Sequence, residues 1–138
     1  MRTLVTILIL ICSNLGFAAE VKVNDSWVRE MPPGMGMTAA YLTLENESEK
    51  KLVLTSISST AAADCSIHKT EIKDGMSRMV EIQNLAIDPK QSLTMQPGGI
   101  HIMLMDLSKP LKKGEKFPLQ LNFSDGSSQL IEAVIESR

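Results

Sequence analysis

Residues 65–84 read Cys65-Ser66-Ile67-His68-Lys69-Thr70-Glu71-Ile72-Lys73-Asp74-Gly75-Met76-Ser77-Arg78-Met79-Val80-Glu81-Ile82-Gln83-Asn84. Two runs flank Asp74-Gly75, and a tight hairpin turn needs the positive φ that Gly supplies, so the stretch predicts an antiparallel hairpin. A two-residue loop sets Lys73 opposite Met76, Ile72 opposite Ser77, Thr70 opposite Met79 and His68 opposite Glu81. His68 and Met79 then become diagonal neighbours on one face, with Cβ atoms somewhat under about 7–8 Å apart, within reach of one shared ion.

Working outward, short runs recur between Asn, Asp, Gly and Pro turns, and no long stretch past residue 20 has helical periodicity. Strands are predicted over 21–29, 38–45, 51–58, 65–73, 76–84, 91–95, 100–106, 115–123 and 128–136. Turns fall at Asn46-Glu47-Ser48, Asp74-Gly75, Gln96-Pro97-Gly98-Gly99 and Asp125-Gly126, the last a second hairpin. Pro118 cannot donate to a ladder, which predicts an edge or a bulge there. The class is all-β, a sandwich or barrel.

The 138-residue chain opens with Met1-Arg2-Thr3, an apolar run from Leu4 to Ile11, and small and polar residues to Ala19. Those are the zones of a secretory signal, with cleavage expected after Ala19 and one domain over 20–138. The run is shorter than the about 20 residues a membrane span needs, so stable membrane insertion is not expected. Leu10 and Ile11 stand where a lipid-attachment site at Cys12 wants small residues, so lipidation is not expected either. Loss of the leader leaves Cys65 alone and excludes an internal disulfide. The net charge is −2, with scattered Lys and Arg, which excludes nucleic acid and anionic lipid as partners.

The chain has nine Met and only two His. The second His lies in Ile100-His101-Ile102-Met103-Leu104-Met105, where alternation puts His101, Met103 and Met105 on one face and the aliphatic residues on the other. If this strand lies beside the hairpin, His68, Met79, His101 and Met103 converge with no carboxylate clearly among them. Thioether is a poor ligand for zinc, calcium or iron(II) but a good one for Cu(I), and imidazole suits copper in either oxidation state. Neutral thioethers bind without losing a proton, so acid should weaken binding through His68 and His101.

The spacing of these four residues is ten, twenty-one and one. It resembles the signature of the periplasmic copper(A) chaperone family, PCu(A)C, as do Trp27-Val28-Arg29, Ala39-Ala40-Tyr41-Leu42-Thr43-Leu44, Asp74-Gly75-Met76, Arg78-Met79 and Pro97-Gly98-Gly99-Ile100-His101-Ile102-Met103-Leu104. The resemblance spans essentially the whole mature chain. It implies a cupredoxin-like Greek-key β-sandwich that binds one Cu(I) near its surface and passes it to a respiratory oxidase, notably the dinuclear copper site of subunit II, or to another copper assembly factor. It also implies a periplasmic, monomeric protein. Many members carry a His- and Met-rich C-terminal tail associated with a second copper; here Arg138 follows the last strand, so no Cu(II) tail site is expected.

Other residues have plainer readings. Met105 either supplies a spare thioether or packs beside the site. Met31, Met35 and Met37 flank Pro32-Pro33-Gly34 and stay outside the ligand set, and Met76 and Arg78 face away from Met79. Glu81 either orients His68 by a hydrogen bond or forms a solvated surface pair. Cys65-Ser66-Ile67-His68 has the Cys-x-x-His spacing of some electron-transfer copper proteins, but alternation turns Cys65 away from His68 and no upstream His exists. Cys65 reads as a small buried hydrophobe. With no His-carboxylate-nucleophile set, no enzymatic activity is expected. The competing readings are an electron-transfer copper protein using Cys65 and a metal-free binding sandwich.

Overall fold

The computed structural model describes residues 19–31 and 34–138, so all of the predicted leader but Ala19, with Cys12, and Pro32-Pro33 lie outside the described residues. The strands are β1 (Val21–Arg29), β2 (Met37–Asn46), β3 (Leu52–Ser58), β4 (Ala62–Lys73), β5 (Met76–Glu81), β6 (Leu85–Ile87), β7 (Ser92–Thr94), β8 (Ile100–Leu107), β9 (Lys116–Phe123) and β10 (Ser128–Glu136). Among the described residues no helix is long and apolar enough to cross a membrane.

One hydrogen-bonded path runs β5-β4-β8-β2-β1-β10-β9-β3-β6, with β7 added beside β2. Every pairing is antiparallel except that of β1 with β10, which joins the two halves of a cupredoxin-like β-sandwich. A single core lies between those halves. Ala40, Leu42 and Leu44 of β2 and Ile102 and Leu104 of β8 meet Phe117, Leu119 and Leu121 of β9, all but removed from solvent. Alternation produces this directly, because the period of two sends every second residue of these strands inward.

Both predicted hairpins form, by different turns. Asp74 and Gly75 have φ of 53° and 74°, the two positive values of a type I′ turn, and the β4–β5 register is the one a two-residue loop dictates. At the other, the Phe123 amide donates to the Ser127 carbonyl at 3.0 Å and the Gly126 amide to the Phe123 carbonyl at 3.1 Å. Only Gly126 is left-handed there, at φ 85°, so the loop has three residues and closes on a glycine bulge.

The strand predicted over 76–84 ends at Glu81, and Leu85–Ile87 forms a further short strand on β3 that the sequence reading missed. The predicted edge at Pro118 is local: pairing with β3 stops at Ser58↔Gln120, so Pro118 pairs with β10 alone, at Glu132, while its carbonyl accepts from the Ser59 hydroxyl. The irregularity of β3 lies elsewhere, between Leu54 and Ser56.

A second bulge decides what lies beside the site. Between Asn24 and Trp27 β1 carries one residue more than β2, with Asp25 at φ 45°. Strict alternation would put Trp27 on the face of Val21 and Val23. The bulge moves it to the opposite face, where its ring stacks on Tyr41 with centroids 4.5 Å apart, and Val28 takes the core position.

Asn46, buried at the end of β2, fastens the loops at the far end. Its amide donates to the carbonyls of Lys50, Ile87 and Asp88, and its oxygen accepts from the Ser48 amide and hydroxyl.

Candidate metal centre

His68 sits on β4 directly opposite Glu81 on β5 and directly opposite His101 on β8. Met79 pairs with Thr70 and Met103 with Ser66, so all four predicted residues occupy the face of the sheet turned away from the core. The two imidazole centroids are 6.0 Å apart with a 22° angle between planes. An ion bonded to a ring nitrogen at about 2 Å lies roughly 3 Å from that ring's centre, so this separation suits two imidazoles sharing one ion.

His101, Met79 and Met103 line a cavity of about 380 Å³ together with Thr70, Pro97 and Gly98 on one side and residues of the 29–41 segment on the other. His68 stands next to that cavity through its pairing with His101 and is not among its lining residues. Met79 is exposed at the mouth, whereas Met103 and His68 are half-buried.

His101 is 4% exposed and its two nitrogens are treated differently. Nδ1 lies 3.1 Å from the Gly99 carbonyl oxygen, which can only accept, so Nδ1 carries the proton. Nε2 therefore holds a lone pair, and it is buried with no hydrogen-bond partner among the described residues. A backbone carbonyl fixing the tautomer and orientation of an imidazole is the usual support behind a metal-binding His. A buried acceptor left unsatisfied costs about 1–3 kcal/mol, which a bound ion would recover.

The turn before β8 builds that support. Pro97 at the second position and Gly98 at φ 84° in the third, closed by the Gly99 amide donating to the Gln96 carbonyl at 3.0 Å, make a type II turn. The Gly99 carbonyl also accepts from the Thr70 amide at 3.3 Å. One oxygen thus ties the His101 ring to β4, which carries Thr70 opposite Met79.

Glu81 faces His68 as predicted, but among the described residues no hydrogen bond joins them; Ser66 Oγ lies 3.4 Å from His68 Nδ1 instead. Nor does any group of three or more His, Cys, Asp or Glu suited to a metal occur among the described residues. Any ion held here has thioethers in its shell, which favours a soft cation over zinc or calcium.

Cys65 pairs with Leu104 on the core-facing side of β4, away from His68, and packs against the core. Burial, with a smaller contribution from Asp64, pushes its thiol up to about 11. Copper held through a thiolate shared with His68 does not fit this placement. The sequence reading also left unassigned Arg29, which lines the cavity and lies over the Tyr41 ring at 5.5 Å, and, outside the cavity lining, Arg138 over Trp27 at 4.9 Å. Alternation in β2 places Tyr41 on this face, but the β1 bulge that brings Trp27 has no periodic signal.

Known proteins match the chain along nearly its whole described length. A family model described as "Putative lipoprotein LpqE-like" covers residues 21–135. The chain belongs to the LpqE-like family. One relative, "Putative lipoprotein Lxx21020" of Leifsonia xyli subsp. xyli, is 35% identical over 120 residues, spanning 86% of this chain and 71% of that protein. The solution structure of CuI-DR1885 from Deinococcus radiodurans is 29% identical, with a TM-score of 0.67 over 91% of this chain and 83% of that one. The copper-bound PCuAC domain from PmoF2 shares the fold, with a TM-score of 0.74 at 21% identity over 88% and 97% of the two chains. The LpqE-like fold seen here is thus the PCuAC fold that the spacing of His68, Met79, His101 and Met103 led us to expect.

Proposed function

We propose that this LpqE-like protein is an exported Cu(I) carrier in which His68, Met79, His101 and Met103 hold one ion and surrender it by ligand exchange to an acceptor protein. The observation that carries the reading is the buried, unpartnered Nε2 of His101, a residue lining one cavity with the thioethers of Met79 and Met103. His68, opposite His101, completes a set of two imidazoles and two thioethers. The Cu(I) form of DR1885 and the copper-bound PmoF2 domain support the reading, since both relatives are copper-bound on the same fold.

A shallow site suits exchange. With Met79 exposed, an incoming ligand displaces one thioether while His101 stays anchored by Gly99. The acceptor we favour is the dinuclear copper site of a respiratory oxidase's subunit II, and the compartment is the periplasm, reached through a leader over residues 1–19 that leaves a mature domain over 20–138.

Anaerobic titration with Cu(I) against a chromophoric chelator tests the site. One tight equivalent is expected, and His101→Ala and Met103→Ala should each weaken it by more than the about 10- to 100-fold that loss of a ligand's supporting partner costs. Unchanged affinity in both folded variants would sink the assignment. Mixing the loaded protein with a purified subunit II copper domain tests delivery, read from the acceptor's copper spectrum.

A further inference from the structure

Nine methionines are more than four ligand positions need, and three of those outside the set, Met31, Met35 and Met37, line the same cavity as Met79 and Met103. Met usually fills irregular space in a core. Met35 and Met37 do not, being 61% and 52% exposed.

Their segment is held in place. The Asp106 amide donates to the Gly36 carbonyl at 3.0 Å, between the two methionines. Met37 pairs directly with Met105 on β8, and Ala39 with Met103, so Met37 is the diagonal neighbour of Met103 on the outer face. That is the relation Met79 has to His68 across the hairpin, close enough for two side chains to meet one ion.

Resting on the reading of the first site, we propose that Met35 and Met37, with Met103 shared, form a second, weaker all-thioether position for Cu(I) beside it. Three thioethers suit a soft monovalent cation, but they are weaker σ-donors than imidazole and number three rather than four, so the position binds less tightly than the first. An ion moving from the first position to the second keeps Met103 and exchanges His68, His101 and Met79 for Met35 and Met37. No redox change or proton loss accompanies the step.

The test is anaerobic Cu(I) titration of the full mature chain carrying 13C-labelled methionine methyls, followed by NMR. The first equivalent should shift the Met79 and Met103 methyls, and the second those of Met35 and Met37. The double variant Met35→Leu, Met37→Leu keeps volume and apolar surface and removes the sulfurs. It should hold the first equivalent with affinity unchanged within about twofold, lose the second, and release copper to a chelator about tenfold more slowly. Static Met35 and Met37 methyls up to two equivalents, or a double variant that takes the second equivalent as the parent does, would overturn the second position while leaving the first standing. A chain that binds no Cu(I) at all overturns both.

Discussion

A histidine buried to 4% exposure normally satisfies both ring nitrogens, and His101 satisfies one. That imbalance is legible only in three dimensions, because it depends on the Gly99 carbonyl being turned toward Nδ1 by the Pro97-Gly98 turn. Cys65 shows the converse, since its core-facing placement follows from counting residues from His68. With its thiol near 11, about one molecule in a thousand is thiolate at pH 8, so alkylation by iodoacetamide should run about two orders of magnitude slower than for a free thiol. Cys65→Ala should leave Cu(I) affinity unchanged, and a visible thiolate band from the Cu(II) form, lost in that variant, would contradict the proposed ligand set. Asn46→Ala strips three carbonyls and Ser48 of a common partner, and about 2–4 kcal/mol of stability should vanish in urea unfolding, with Cu(I) binding retained.

At the level of elements, the β4–β5 hairpin decides which way Met79 points. One residue more or less in a strand register reverses every side chain beyond it. Inserting a single Gly after Gly75 should therefore carry Met79 to the core-facing side and lower Cu(I) affinity at least about tenfold, while circular dichroism still reports the β fold. The Asp74-Gly75 dipeptide announced this turn, because few sequences tolerate two consecutive positive φ values. The β1 bulge at Asp25 sent no comparable signal: Val21, Val23 and Trp27 keep a period of two in the sequence, and an extra residue in one strand is defined only by its partner.

Across the whole molecule, β4 and β8 are neighbours although His68 and His101 are far apart in sequence, and the Greek-key path alone produces that adjacency. The last residue reaches back to β1: Arg138 meets Asp25 with two contacts of 2.9 and 3.1 Å and covers Trp27. Its guanidinium, chiefly by hydrogen bonding, holds the Asp25 carboxyl below its ordinary value. A depressed carboxylate stabilises the fold above the unfolded value of about 3.9, and the gain disappears as pH falls through the folded value. Both partners are exposed, so the effect is small. Asp25→Asn should melt slightly below the parent at pH 6, with the difference closing toward pH 2. Export is checked by mass: the mature protein should begin at Glu20, and a lipid-modified Cys12, as the lipoprotein names of the family would have it, would overturn the assigned cleavage.

By itself the sequence determined that the chain past residue 20 is all-β, where its hairpins turn, and that His101 and Met103 share one side of a strand. Periodicity and turn chemistry are local, and a strand's two faces are set by its own residues. Tertiary structure alone decided that β4 lies against β8 and that Trp27 leaves the core side. It also decided that Met31, Met35 and Met37 line one cavity with Met79 and Met103, and that one imidazole nitrogen is buried without a partner among the described residues. Each of these depends on which distant backbone arrives alongside, and that follows from burying one shared core rather than from any short stretch of residues.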